Sequence, residues 1–299
     1  MAVERGEQVA IRCPGSRGDD GFARYDLTLS YRQLEDRSNA IAAGLARVGI
    51  IRGTRTVVMV RPSPEFFLLM FALFKAGAVP VLVDPGIARS ALKRCLDEAR
   101  PEAFIGIPLA HAARKALGWA RGAKIAVTVG RRWFWGGHTL ASIEAMGAGA
   151  GPQLADTAPE ETAAILFTSG STGLPKGVLY RHRHFVAQVD MLREAFRVEA
   201  GGVSLPTFPP FALFDPALGL TSVIPDMDPT RPASADPRKL LHAIETFGVT
   251  QFFGSPALVD VLANHGVPMP TLQRVLSAGA PVPSAVVGKM RALLPDSAE

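Results

Sequence analysis

Cysteine and long apolar runs are both scarce in this chain, and each scarcity closes off a class of protein. The only two cysteines in 299 residues, Cys13 and Cys95, lie in unrelated segments with no second thiol or histidine at ligand spacing. That excludes a disulfide framework and a zinc site, and a reducing cytoplasm is the expected compartment. The most apolar stretch, FFLLMFALF (66–74), is followed by Lys75, Gly77 and Pro80. A bilayer span needs about 20 such residues, so no transmembrane segment is expected and the stretch reads as a buried helix. Glu4, Arg5 and Glu7 stand where a signal peptide would need its apolar core, which argues against export. The net charge is +5 with a pI near 9.5, yet 25 of the 32 basic residues are arginines scattered along the chain rather than gathered in a basic run. No nucleic-acid partner is expected from that pattern.

What is present is ample core material, 48% hydrophobic against 20% charged residues, in a chain long enough for one large domain or two smaller ones. Short apolar runs alternate with helical patterns. Ser30 and Gln33 have capping-box spacing ahead of a stripe of Leu34, Ile41, Leu45 and Val48, which Gly49 ends. Then follow TVVMV (56–60), a helix over 64–76, VPVLVD (79–84), a helix over 88–99, AFIGI (103–107), a helix over 110–118 and KIAVTV (124–129). The runs are apolar at every position rather than every second one, as in parallel strands covered on both faces. The glycine-rich stretch 130–161 breaks the rhythm and reads as a long connection. A second set of alternating elements follows it, so the fold class is α/β: two lobes with mainly parallel sheets, dividing near 155/156.

One segment, ILFTSGSTGLPKGVLYRHRHF (165–185), gathers four hydroxyls, three glycines and Lys176 within ten residues after an apolar strand. Glycines allow backbone N–H groups to approach an anion, hydroxyls donate to phosphate oxygens, and a lysine neutralises the far phosphates. It is not a Walker loop, in which Gly-Lys-Ser/Thr opens a helix; here Pro175 precedes Lys176 and an apolar run follows it. The segment reads as strand, loop, strand, with a helix starting near Arg183.

TSGSTGLPKG resembles the signature loop of the adenylate-forming superfamily of acyl-CoA synthetases, luciferases and nonribosomal adenylation domains. The resemblance covers nearly the whole chain and implies the large N-terminal AMP-binding domain, with ATP and Mg²⁺ as cofactors. It implies phosphate contacts for Thr168, Ser169, Gly170, Ser171, Thr172, Gly173 and Lys176, with Lys176 as the catalytic cation. LSAGAPVPS (276–284) is similar to the stretch that lines adenine, which points to Ala278, Gly279, Ala280 and Pro281. FPPFALFDPALGL (208–220) sits where the family places its acid pocket, which points to Phe208, Phe211 and Phe214, with Gly254 beside them. Ordinary core packing is the competing reading of those phenylalanines.

Several features depart from the family pattern. Ala212 follows Phe211 where a histidine is common, leaving a smaller and more apolar wall suited to a long aliphatic acid. His184 replaces a frequent asparagine, and both His182 and His184 read as packing residues. The aspartates of PDMDPTRPASADP (225–237) read as a rigid surface loop. The family's Tyr-Gly-x-Thr-Glu motif, its Mg²⁺ glutamate and its C-terminal lid with a catalytic lysine do not occur up to Glu299. The expectation is therefore an incomplete adenylation domain over 1–299, with no metal ligand within it and no turnover on its own.

More narrowly, YRHRHFVAQ (180–188), LPTFPPFALFDPALGLTSVIPDMDPTRPA (205–233) and QFFGSPAL (251–258) resemble the bacterial β-lactone synthetases of olefin biosynthesis. That implies a long-chain 2-alkyl-3-hydroxy acid as substrate and other hydrocarbon-biosynthesis enzymes as partners. Two alternatives stay open: a long-chain acyl-CoA ligase, and a non-catalytic nucleotide-binding module.

Overall fold

Strands that are apolar at every position need cover on both faces, and the chain supplies it with helices between the strands. The computed structural model describes residues 1–84, 87, 89–168 and 175–299, with only the backbone of 89 and 90. In chain order the elements are β1 (Val9–Cys13), β2 (Leu27–Ser30), α1 (Tyr31–Arg47), β3 (Arg55–Met59), α2 (Pro64–Lys75), β4 (Val79–Val83) and α3 (Arg89–Ala99). Next come β5 (Ala103–Gly106), α4 (Pro108–Leu117), β6 (Ile125–Thr128), β7 (His138–Thr139), α5 (Leu140–Met146), β8 (Thr162–Thr168), β9 (Lys176–Arg181) and α6 (His182–Ala195). The remainder is β10 (Val203–Pro206), α7 (Asp215–Leu218), β11 (Thr221–Val223), α8 (Pro237–Phe247), β12 (Gln251–Gly254), α9 (Pro256–His265), β13 (Arg274–Ser277) and α10 (Ser284–Arg291).

The division into compact units differs from the expected one at 155/156. One unit combines Met1–Gln33 with Met191–Glu299, and the other is Leu34–Asp190. The reason is strand pairing. β1 lies parallel to β11, with Ile11 opposite Ser222, so the first strand, with β2 at its other side, joins four strands from the last third of the chain. The order in that sheet is β13-β12-β10-β11-β1-β2, parallel except for β2. Its core is built around Leu205, Leu240, Ile244, Phe252, Leu258 and Leu262.

The other unit holds a seven-stranded sheet in the order β7-β6-β5-β3-β4-β8-β9, parallel except for β9. Val57, Val81, Phe104, Ile165 and Phe167 fill one of its cores. The FFLLMFALF stretch is the buried helix α2, with Phe67, Leu68, Leu69 and Leu73 fully enclosed. Among the described residues no helix is long and apolar enough to cross a membrane. The capping box at α1 forms as its spacing predicts: Gln33 N–H donates to Ser30 Oγ at 3.1 Å and Ser30 N–H to Gln33 Oε1 at 2.9 Å.

The stretch 130–161 is not only a connection, because it holds β7 and α5. Thr139 and Ser142 cap α5 reciprocally, Ser142 N–H to Thr139 Oγ1 at 3.1 Å and Thr139 N–H to Ser142 Oγ at 3.0 Å. α5 packs against α1 backbone to backbone, since a Cβ on Gly44 would lie 2.0 Å from the Ile143 carbonyl oxygen. Gly147, one of the small residues that read as linker, approaches α1 just as closely, since a Cβ there would lie 1.8 Å from the Ala40 carbonyl oxygen.

Candidate functional site

The phosphate-loop candidate is carried by a hairpin. β8 ends at Thr168 and β9 begins at Lys176, and these two residues face each other in the antiparallel register. β8 is firmly held because it pairs with β4 on its other side, whereas β9 is the edge strand of the sheet. Lys176 is exposed and has no carboxylate partner among the described residues, so its ammonium group is available to a polyanion. The expected contacts Ser169, Gly170, Ser171, Thr172 and Gly173 lie outside the described residues.

The candidate acid and adenine residues come together in the other unit, at the carboxyl ends of three neighbouring parallel strands. β10 ends at Pro206, paired with Phe253 of β12. Gly254, the next residue of β12, is paired with Ser277 of β13, and Ala278–Pro281 follow directly. A crevice outside the carboxyl ends of parallel strands is where α/β sheets bind ligands. Thr207 ties the chain after β10 to β12 by donating both its N–H and its Oγ1 to the Phe253 carbonyl, at 3.0 and 2.9 Å. That anchor starts a short 3₁₀ turn, Phe211–Leu213.

On this turn Phe211 lies 4.4 Å from the Phe253 ring, 5.5 Å from Phe208 and 6.3 Å from Phe214, centroid to centroid. Phe208 and Phe211 are each 36% exposed, while Ala212 is buried. The three phenylalanines therefore line one continuous aromatic surface that is not sealed into the core. Ala278, Gly279, Ala280 and Pro281 are exposed. Gly279 has φ +100 with open space where a side chain would stand, so the strip presents bare backbone of a shape that only glycine adopts readily.

Asp215 proves to start a helix, as the first residue of α7, but its side chain is not at a surface. It is buried, accepts a hydrogen bond from Ser222 Oγ at 2.7 Å and also bonds Ser204, which places it against β10 and β11. Burial pushes its carboxyl from the ordinary 3.8 up to about 7, and the two serines only partly offset this. Beside it, Tyr31 donates its hydroxyl to the Leu220 carbonyl at 2.8 Å. The Asp-Pro pair signals a helix start in sequence but gives no hint of the burial.

The histidines fall at the β9–α6 junction. His184 Nδ1 accepts from the Arg181 N–H at 3.2 Å, a local cap on α6. The backbone N–H of His182 donates to the Glu161 carbonyl at 3.2 Å, and its buried Nε2 has no partner among the described residues. Burial lowers the pKa of His182, which the nearby Glu161 partly offsets. The aspartates of 225–237 are structural: Asp226 pairs with Arg17 and Lys239 at 3.0 and 2.9 Å, Asp228 accepts from the Thr230 N–H at 2.9 Å, and Asp236 caps α8 through the Arg238 N–H at 3.0 Å. Both cysteines are buried and neither is in a disulfide, and among the described residues no group of three His, Cys, Asp or Glu side chains could hold a metal ion.

The chain is similar in sequence and in fold to known proteins. The chain is 71% identical over 299 residues to an olefin beta-lactone synthetase of Xanthomonas campestris pv. campestris. It is likewise 71% identical over 300 residues to an olefin beta-lactone synthetase of Stenotrophomonas maltophilia. Each alignment covers 100% of this chain and 54% of the relative, so the chain spans about half the length of the curated relatives it matches. In fold it is similar to the crystal structure of a long-chain-fatty-acid-CoA ligase from Archaeoglobus fulgidus. The TM-score is 0.82 at 20% identity, over 98% of this chain and 58% of that one. The model of the AMP-binding enzyme family matches residues 5–299, so the chain belongs to that family.

Proposed function

We propose that the full-length protein activates a long-chain 2-alkyl-3-hydroxy acid as its acyl-AMP and closes it to a β-lactone. The observation that carries this reading is the β8–β9 hairpin, which presents Lys176 opposite Thr168 at the two ends of the TSGSTGLPK segment. A carboxylate oxygen attacks the α-phosphorus of ATP, the bond to the β-phosphate bridging oxygen breaks, and pyrophosphate leaves. Lys176 and the loop hydroxyls hold and neutralise the β- and γ-phosphates as negative charge accumulates on them. Mg²⁺, which the family resemblance implies, would bind chiefly through the triphosphate with few protein ligands and would share in neutralising its charge. The 3-hydroxyl then attacks the acyl carbon of the same molecule, loses its proton, and AMP departs as the four-membered ring closes. Intramolecular attack in a held geometry is worth about 7–11 kcal/mol, enough to outpace an external thiol or water.

The identity to the two synthetases supports the lactone step, and the partly exposed aromatic surface of Phe208, Phe211 and Phe214 supports a long aliphatic acid, whereas Ala212, expected to widen that wall, is buried behind it. Incubating the full-length protein with ATP, Mg²⁺ and a long-chain 3-hydroxy acid, with and without CoA, tests the proposal. A β-lactone formed without CoA is the expected product. A thioester as sole product, or turnover only when CoA is added, overturns the lactone step in favour of a long-chain acyl-CoA ligase.

The acid-binding assignment has its own check. Phe211→Ala removes part of a half-exposed wall rather than of the core, so KM for a long-chain acid rises roughly tenfold, about 1.4 kcal/mol, while the melting temperature barely moves. Purely structural packing would give the opposite, a lowered melting temperature with KM unchanged.

A further inference from the structure

The loop between β6 and β7 combines features that neither the fold nor the proposed chemistry uses. Between Glu102 and Glu144 the chain has no acidic residue but six basic ones, Arg114, Lys115, Arg121, Lys124, Arg131 and Arg132. All three tryptophans lie in the same stretch, two of them in the Arg131-Arg132-Trp133-Phe134-Trp135 run. The run lies within the glycine-rich stretch 130–161, yet in it two adjacent arginines precede three adjacent aromatics.

The structure separates these aromatics into an anchor and an exposed pair. Trp135 is buried, donates Nε1–H to Thr128 Oγ1 at 3.0 Å, and stacks on His111 with centroids 5.3 Å apart. His111 in turn sits 3.0 Å from the Val127 carbonyl through Nε2. Trp133 and Phe134 rest against this anchor at 5.3 and 5.2 Å, yet they remain 51% and 82% exposed. Leu109, on the first turn of α4 at the same carboxyl end of the sheet, is 63% exposed. Arg131 and Arg132 are exposed with no carboxylate partner among the described residues, and Arg132 braces the loop by bonding the Gly137 carbonyl. The loop is therefore a firmly held platform with large apolar side chains and unpaired positive charge facing outward. It lies beside β7, at the opposite edge of the seven-stranded sheet from the β8–β9 hairpin, which separates it from the phosphate-loop candidate.

We propose that this loop docks the protein on the surface of an anionic phospholipid bilayer. Trp settles at the level of lipid headgroups, where its ring is desolvated and its N–H stays wet, and Phe beside it adds apolar area that the acyl boundary covers. Arginines beside them gain from the negative surface potential of an anionic leaflet, and no acidic residue within 103–143 offsets their charge. A contiguous exposed apolar pair rimmed by charge of one sign fits such a surface better than it fits bulk water. The contact is peripheral, with no span involved.

The test uses the full-length protein with vesicles of phosphatidylglycerol and phosphatidylcholine, compared with vesicles of phosphatidylcholine alone. Co-sedimentation with the anionic vesicles is expected, at least tenfold stronger than with the neutral ones and weakened by salt. The double variants Trp133→Ser/Phe134→Ser and Arg131→Glu/Arg132→Glu should each lose at least tenfold in vesicle binding with unchanged circular dichroism. A measurement that needs no disruptive variant is quenching of tryptophan emission by bromine-labelled lipid, which Trp133→Phe should reduce while preserving binding. No vesicle binding by the wild type, no quenching, or binding indifferent to both double variants overturns the proposal. Self-association abolished by Trp133→Ser/Phe134→Ser in the absence of vesicle binding overturns it in favour of a protein interface.

Discussion

Lys176→Ala in the full-length protein slows adenylation by about 30- to 1,000-fold and leaves AMP affinity within about threefold. The lysine opens β9 opposite Thr168, exposed and without a carboxylate partner among the described residues, so its charge is free to meet a bound anion. On the family's pattern that anion is the β,γ-pyrophosphate portion of ATP, which AMP lacks. A charge-assisted contact that strengthens as pyrophosphate leaves is worth about 2–4 kcal/mol in the transition state, and each 1.4 kcal/mol is about tenfold in rate. Single-turnover formation of acyl-AMP, measured beside AMP binding by calorimetry, separates the two quantities. Equal losses in rate and AMP affinity would place Lys176 at the α-phosphate or outside the site.

Asp215→Asn raises stability at neutral and alkaline pH, and the gain grows from about pH 4 to about pH 7. In the native protein burial lifts the Asp215 carboxyl from 3.8 to about 7. A carboxyl whose pKa is raised on folding contributes stability that is fully present below 3.8 and is lost as pH rises through about 7. The displacement corresponds to at most about 4 kcal/mol. Asparagine keeps the shape, can still accept from Ser222 and Ser204, and never ionises, so its stability lacks that slope. Urea melts of both proteins at pH 5 and pH 8 give the comparison. A variant less stable than the wild type at pH 8 would show that the carboxylate is ionised and satisfied in the folded state.

Much of the fold was legible because parallel strands advertise themselves. VPVLV and AFIG are apolar throughout and became β4 and β5, and the Ser30/Gln33 spacing became an actual capping box. Three features were not legible, each for a physical reason. The pairing of β1 with β11 joins Ile11 to Ser222 across most of the chain, and no local periodicity encodes so distant a partner. α5 is short and capped by Thr139 and Ser142 rather than by the Thr-to-Glu pattern, and its glycine-rich surroundings mimic a linker. Asp215 looks like any Asp-Pro helix start until the serines of β10 and β11 close over it.

The candidate site was legible to a different degree. The phosphate loop stood out by composition alone, since hydroxyls, glycines and a lysine rarely coincide after an apolar strand. That Phe208, Phe211, Phe214, Gly254 and Ala278–Pro281 gather at neighbouring strand ends depends on the order β13-β12-β10. In sequence those strands are separated by helices and loops, so only the resemblance to the family pointed to them.

The central claim, that the protein joins a carboxylic acid to the α-phosphate of ATP, is tested most directly by exchange of labelled pyrophosphate into ATP. With full-length protein and Mg²⁺, exchange should depend on a long-chain carboxylic acid, proceed without CoA, and fall by the factor given above in Lys176→Ala. Nucleotide binding with no acid-dependent exchange, under conditions where the protein is folded and saturated with ATP, would contradict the account and leave a nucleotide-binding module without adenylation chemistry.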